Sequence, residues 1–230
     1  MAQSLLQQLL SGQNFERTST TFSLPLIIYG TAGSGKTTIL KQLAKHFPEL
    51  IYASFHPTTL DATLNIKQKL ANPQLIPDLL DEFLGGQSPP ARIAQLCDPL
   101  QYHCEDKPAP HYISKFTYRF CPKSCFLINS IFHTELESRL EACCTIKTAD
   151  PYVEDPVGTT VAFEPEVIQI LVKHGASVHT PAEITGLNIP SVALYLSNIP
   201  QAKALNSAAL FICLSRHTQA ISILELDPCL

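Results

Sequence analysis

The stretch Leu24-Pro25-Leu26-Ile27-Ile28-Tyr29, followed at once by Gly30-Thr31-Ala32-Gly33-Ser34-Gly35-Lys36-Thr37-Thr38, decides the fold. Its apolar half reads as a buried strand, and its second half spells G-x-x-x-x-G-K-T before a helical pattern opens. That strand–loop–helix context turns a string match into a phosphate-binding loop, or P-loop. Successive backbone N–H groups from Gly33 to Lys36 are expected to form a nest for a phosphate, helped by the helix N-terminus. Lys36 is expected to reach the β- and γ-phosphates of a nucleoside triphosphate, and the Thr37 hydroxyl to sit on Mg2+. The competing reading is a glycine-rich turn that happens to contain lysine. The strand before it and the helix after it argue against that.

Outward from the loop, the spacing predicts a helix from Thr37 to Phe47 with Ile39, Leu40, Leu43 and Ala44 facing inward, closed by Pro48. Leu50 to Phe55 reads as a second strand and Leu60 to Leu70 as a second helix. Such alternation predicts an α/β fold with a parallel sheet. Leu79-Leu80-Asp81-Glu82 then looks like a Walker B pair at the carboxyl end of a strand. One carboxylate, Asp81, would hold Mg2+ and the next, Glu82, would orient or deprotonate an attacking water. An acidic pair alone is more often solvated surface, and its place one βαβ unit after the loop favours the catalytic reading. Gly85 to Pro90 is a turn-rich break, after which Ala91 to Cys97 forms a further strand. Ligands in such sheets sit beyond the carboxyl ends of the strands, which places Gln101 to hydrogen-bond a γ-phosphate or its water. A plain Asp-Pro turn is the alternative there. Upstream, Leu5, Leu6, Leu9 and Leu10 mark one face of a short helix, and Ser11 to Ser23 reads as a linker.

His103 to His111, with Pro108 and Pro110, is the expected boundary between lobes, dividing the chain into residues 1–108 and 109–230. Beyond it, Phe126 to Leu140 is expected to be helical, with Glu135, Glu137 and Glu141 on a solvated face. Thr159 to Phe163 reads as a strand, and Pro165 to His174 as a helix capped by Gly175. Ser191 to Leu196, Ala208 to Leu214 and Ala220 to Leu224 read as strands. Arg216 would then follow a buried strand, a costly place for a charge unless an anion meets it.

Composition narrows the class. At 230 residues, 45% hydrophobic and 16% charged, the chain has the bulk and balance of an ordered globular protein. No apolar run is long enough to span a bilayer. The first ten residues lack the basic start and continuous apolar run of a secretory signal, so a soluble intracellular protein is expected. A net charge of −4 argues against a constitutive nucleic-acid coat but leaves room for a locally basic groove. Of eight cysteines, Cys121 and Cys125 with the Cys143-Cys144 pair could be bent around zinc. Irregular spacing and an intracellular setting favour reduced, buried thiols.

The order of these signals resembles superfamily 1 RNA helicases of positive-strand RNA viruses, and most closely the triple gene block movement proteins of filamentous plant viruses. Gly30 to Thr38 resembles motif I, Tyr52 to Thr59 motif Ia, Leu79 to Phe83 motif II and Asp98 to Gln101 motif III. Thr117-Tyr118-Arg119-Phe120 is similar to motif IV, Ala182 to Gly186 with Val192 to Leu194 to motif V, and Ala209 to His217 to motif VI. Cys97 stands where the superfamily usually has Gly, Thr185 where it has Gln, and Ser215 where Thr is common.

The resemblance implies a P-loop NTPase of two RecA-like lobes, with mostly parallel sheets flanked by helices, around ATP or another NTP and Mg2+. It implies a nucleotide cradle of Gly30, Thr31, Ala32, Gly33, Ser34, Gly35, Lys36, Thr37 and Thr38. Lys36, Asp81, Glu82 and Gln101 would act from the first lobe, Arg119 and Arg216 from the second, with Thr37 and Asp81 on the metal. Implied partners are single-stranded viral RNA, capsid protein, the other triple gene block proteins and host silencing factors. A homo-oligomer, with no membrane-spanning segment, is compatible with it. The implied role is helicase-driven movement through plasmodesmata and suppression of RNA silencing from the host cytoplasm. Two other classes share parts of the pattern. A nucleotide-binding interaction protein would hydrolyse incidentally, and a small-molecule kinase would need an Arg-rich lid that is not visible.

Overall fold

Leucines at helical spacing open the chain as α1 (Ala2–Gly12), with Leu6 and Leu10 buried. The computed structural model describes residues 1–55, 76–87 and 90–226. They form two compact units, Met1–Phe116 and Thr117–Leu230. The helix expected over Leu60 to Leu70, the His56 to Thr59 part of the motif Ia stretch, part of the Gly85 to Pro90 break and Cys229 lie outside the described residues.

In the first unit, α1 is followed by β1 (Glu16–Arg17), β2 (Leu26–Gly30), α2 (Lys36–His46), β3 (Tyr52–Ser54), β4 (Leu79–Asp81), β5 (Ala94–Cys97) and β6 (Tyr112–Ser114). The strands make one sheet in the order β1-β6-β2-β5-β4-β3. Pairing is parallel except where β1 meets β6. Leu26, Ile27 and Ile28 are all buried, as a central strand of a parallel sheet requires, and that is why β2 reads as a continuous apolar run. Register sets Tyr29 beside Cys97 and Asp81 beside Leu96, so the segments after β2, β4 and β5 leave the sheet at one edge. Leu6, Leu10, Ile39, Leu43, Leu26 and Ile28 share one core, which holds α1 and α2 against the sheet.

Two expectations for this unit change. Ser11 to Ser23 is more than a linker, because it carries β1 and the buried Phe15. The first unit runs on to Phe116 instead of ending at residue 108. The His103 to His111 connection returns the chain to the sheet, where β6 pairs with β2. His111 secures that return, accepting the Ile27 N–H at Nδ1 (2.9 Å) while its carbonyl accepts from Arg17 (2.9 Å).

The second unit contains β7 (Phe116–Thr117), which straddles the division, then α3 (Pro122–Phe132), β8 (Glu137–Ser138), β9 (Thr145–Ala149) and β10 (Thr159–Val161). It continues with α4 (Pro165–Lys173), α5 (Pro181–Ile184), β11 (Ile189–Leu196), α6 (Ile199–Leu214) and β12 (His217–Glu225). A parallel sheet runs in the order β10-β11-β12-β9, and β7 pairs with β8 in a small ribbon. Gly175, at φ 81, follows α4 as expected.

Three elements here differ from the sequence expectation. The helix placed over Phe126 to Leu140 instead ends at Phe132. His133 turns into the left-handed region, and Asn129 Oδ1 accepts both the Thr134 hydroxyl (2.9 Å) and the Leu136 N–H (2.8 Å). Glu137 is therefore on an exposed strand. Ala208 to Leu214 is the end of helix α6 and not a strand. Asn198 caps the helix through the Gln201 N–H (2.9 Å), with Pro200 in the first turn. The helix breaks at Asn206 (φ −155, ψ 91), whose side chain caps a second start at Ala209 (2.9 Å). A short apolar run buried from Ala209 to Leu214 has no periodicity to separate helix from strand. β9, a mostly exposed and polar edge strand, carries no apolar alternation to reveal it. Among the described residues no helix is long and apolar enough to cross a membrane.

Candidate functional site

β2 delivers the chain into the loop at Gly30, where a Cβ would stand 2.4 Å from Ser34 Oγ and 2.9 Å from the Phe15 ring. Gly33 (φ 82) and Gly35 (φ 95) take the left-handed turns that wrap the loop. Gly35 is the N-cap of α2, so Lys36, Thr37 and Thr38 form its first turn, where helical N–H groups have no intrahelical partner. Thr37 and Thr38 are exposed and Lys36 is buried. Its ammonium donates to the carbonyls of Gly30 (2.6 Å) and Thr31 (3.4 Å). Thr31 Oγ1 and Ser34 Oγ are buried hydroxyl oxygens with no hydrogen-bond partner among the described residues.

Asp81 ends β4, and Glu82 follows with φ 53, a left-handed conformation that costs a non-glycine residue and recurs at functional sites. Asp81 Oδ1 accepts the Glu82 N–H (3.1 Å). Burial first, and the neighbouring Glu82 charge second, push the Asp81 carboxyl up to about 7, with Lys36 and the Glu82 N–H opposing. Glu82 is also raised by burial, against the Lys36 charge and hydrogen bonds from Tyr102 and the Asp98 N–H, while the Asp98 charge adds to the rise. Glu82 Oε2 is buried and has no hydrogen-bond partner among the described residues.

Gln101 is held by its neighbour. Asp98, fully buried at the end of β5, accepts the Leu100 N–H at Oδ1 (3.1 Å) and the Gln101 amide at Oδ2 (2.8 Å). The first unit thus collects Lys36, Asp81, Glu82 and Gln101 at the carboxyl ends of adjacent strands. Asp98 and Tyr102 complete the cluster. Asp before Pro is a turn-capping signal that could have singled out Asp98. Tyr102 has no local signal, since only the β4–β5 pairing puts it on Glu82.

Arg119 and Arg216 both belong to the second unit. Arg119 follows β7, and its N–H donates to Thr117 Oγ1 (3.1 Å). Arg216 is 1% exposed. It lies between the end of α6 and the start of β12, not after a buried strand, because the preceding apolar run is helical. Its carbonyl accepts the Ile189 N–H (3.0 Å), and a helix C-terminus is a favourable place for a cation.

The donor set suits a magnesium-bound triphosphate. It joins a buried ammonium, exposed first-turn hydroxyls, two carboxylates of raised pKa and buried oxygens without hydrogen-bond partners among the described residues. Residues 26–225 match the model of the viral superfamily 1 RNA helicase core domain. The chain is 42% identical over 222 residues to the movement and silencing protein TGBp1 of Narcissus mosaic virus, covering 96% of this chain and 95% of that one. It is 34% identical over 240 residues to the TGBp1 of White clover mosaic virus (strain O), with 96% of each covered. Among solved structures, the PRRSV helicase superposes with a TM-score of 0.59 at 17% identity, over 87% of this chain and 52% of that one. An arterivirus nonstructural protein 10 (helicase) in complex with DNA gives a TM-score of 0.50 at 16% identity, over 97% of this chain and 57% of that one. The chain therefore spans little more than half the length of these helicases, and at such identities the likeness concerns the fold, RecA-like lobes of α/β build. The chain belongs to the viral superfamily 1 RNA helicase family and, within it, to the TGBp1 movement and silencing proteins.

Proposed function

We propose that the chain is an RNA-stimulated NTP hydrolase of the helicase type, serving cell-to-cell movement of a plant virus and suppression of the host's RNA silencing. The observation that carries this reading is the buried Lys36 set against Asp81 and Glu82, both raised in pKa and aligned by one sheet edge. A lysine buried beside two carboxylates, with its ammonium turned back to its own loop, suits a site built for a highly charged ligand. In this reading Lys36 and the loop N–H groups from Gly33 onward hold the β- and γ-phosphates. Thr37 and Asp81 would hold Mg2+, which supplies charge neutralisation when bound. Glu82, with its pKa raised by burial, takes the proton of the attacking water. Gln101, fixed by Asp98, orients that water. Arg119 and Arg216 supply positive charge for the transferred phosphoryl group, an effect worth about 10³–10⁵ in rate where such arginines act.

Single-stranded viral RNA, capsid protein, the other triple gene block proteins and host silencing factors are the proposed partners. The host cytoplasm is the proposed place of action, with plasmodesmata reached through those partners. A second reading makes the chain an interaction protein in which hydrolysis is incidental. The net charge of −4 favours it, as does Thr185, whose hydroxyl bonds the Pro181 carbonyl (2.7 Å) where the superfamily has a longer Gln. Phosphate release by purified protein, with and without single-stranded RNA, tests the first reading. Lys36→Ala should abolish it, and hydrolysis surviving that change would remove the site assignment. Release that RNA does not stimulate would remove the helicase half. Movement and silencing suppression that persist in a non-hydrolysing Arg216→Ala variant would establish the second reading.

A further inference from the structure

The second unit contains a buried cluster of reactive side chains that the nucleotide site does not use. Cys121 caps the N-terminus of α3, Ser124 lies in its first turn, Cys144 directly precedes β9, and His217 opens β12. Cys121 Sγ and Cys144 Sγ are 2.6 Å apart. Ser124 Oγ lies 3.0 Å from Cys144 Sγ, 3.7 Å from Cys121 Sγ and 2.7 Å from His217 Nε2. Cys121 and Cys144 are 3% and 5% exposed.

Zinc, the sequence-level alternative for these cysteines, fits this geometry poorly. Two sulfurs on one tetrahedral zinc at about 2.3 Å stand roughly 3.8 Å apart, so a closer pair is not spaced to share an ion. Cys143 is exposed, and among the described residues no three Cys, His, Asp or Glu side chains converge as metal ligands. The contact instead brings two sulfurs, distant in sequence, to within reach of bond formation.

We propose that Cys121 and Cys144 are a reversible disulfide-forming pair, with a peroxide as oxidant. Nothing in the pair depends on the nucleotide reading. Burial pushes the Cys121 thiol up, but hydrogen bonds from Cys144 and Ser124 outweigh it and bring the group down to about 7. The downward shift favours the thiolate, the form that attacks. Cys144 is raised, first by burial and then by its bond to Cys121, and so keeps its proton. His217 is held down to about 4 by burial, with Leu214 opposing, and stays neutral while it orients the Ser124 hydroxyl.

In the first step the Cys121 thiolate attacks one peroxide oxygen. The O–O bond breaks, hydroxide leaves and takes up a proton as water, and Cys121 becomes a sulfenic acid. In the second the Cys144 sulfur attacks the Cys121 sulfur. The S–S bond forms, the S–O bond breaks, and hydroxide leaves with the Cys144 proton as a second water. Two thiols and one hydrogen peroxide give one disulfide and two waters, with two electrons passing from sulfur to oxygen. The bond ties the start of α3 to the start of β9 and closes the chain through β8.

The test treats the full-length protein with hydrogen peroxide and maps cysteines by non-reducing peptide mass spectrometry. A Cys121–Cys144 peptide is expected, with a thermal midpoint raised by roughly 5–10 °C and restored by dithiothreitol. Cys144→Ser should leave a Cys121 sulfenic acid that dimedone traps, and Ser124→Ala should move the pH profile of Cys121 alkylation upward. The wild-type mapping needs no variant to fold. Peroxide that joins other cysteines, Cys229 included, or leaves Cys121 and Cys144 reduced while others oxidise, would overturn the assignment. So would stoichiometric zinc that must be removed before the two thiols react.

Discussion

Replacing Asp81 by asparagine is expected to stabilise the nucleotide-free protein at pH 8 while abolishing its hydrolysis of NTP. Burial, then the Glu82 charge, raise the carboxyl from 3.8 to about 7 in the folded state. The folded protein therefore binds the Asp81 proton more tightly than the unfolded chain does. Folding is favoured at low pH, stability falls as pH climbs from about 3.8, and the loss is complete above about 7. At about 1.4 kcal/mol per pH unit, that gap amounts to about 4 kcal/mol at pH 8, and Glu82, raised by burial in the same cluster, is coupled to it. At pH 5.5 only about half of it is felt. Asparagine keeps an oxygen to accept the Glu82 N–H, bonded now at 3.1 Å, and has nearly the same volume. Urea unfolding of both proteins at pH 5.5 and pH 8 measures the effect. The advantage of Asp81→Asn should be about 2 kcal/mol larger at pH 8. A variant less stable at both values, or an advantage that does not change with pH, would refute the burial argument.

Three further outcomes are expected. Gly35→Ala places a side chain at φ 95, costing about 1–2 kcal/mol, and should weaken nucleotide binding measured by fluorescent-analogue titration more than it lowers the thermal midpoint. Asn206→Ala removes the cap on the Ala209 N–H inside α6 and should cost about 1 kcal/mol in chemical denaturation, while Asn206→Asp keeps most of it. Single-stranded RNA binding, despite a net charge of −4, should show a steep negative slope of log K against log salt; a flat slope would exclude a phosphate-tracking groove.

Much of this protein is local, and the local part was legible. Gly33 and Gly35 stand where the backbone takes positive φ, Lys36 opens a helix after a buried strand, and Asp81-Glu82 closes a short strand. Each is a preference of neighbouring residues, so spacing alone declares it. Where local preference is silent, the element is set by contacts distant in sequence or by a single capping side chain. Ala208 to Leu214 is apolar on every side, and only Asn198 and Asn206, as caps, mark it as helix. Phe126 to Leu140 was cut short by Asn129 folding back on Thr134 and Leu136.

By itself the sequence determined that a phosphate loop sits on a buried strand, with a carboxylate pair and a glutamine downstream. The tertiary structure alone decided what those groups are chemically. Asp81 becomes a carboxyl titrating near neutrality, Glu82 acquires Tyr102, and Gln101 is fixed by a buried Asp98. It alone brought Cys121 to Cys144. The reason is physical. Backbone preferences act between residues close in the chain, whereas desolvation and hydrogen bonding act between groups close in space, and only strand order sets which groups those are.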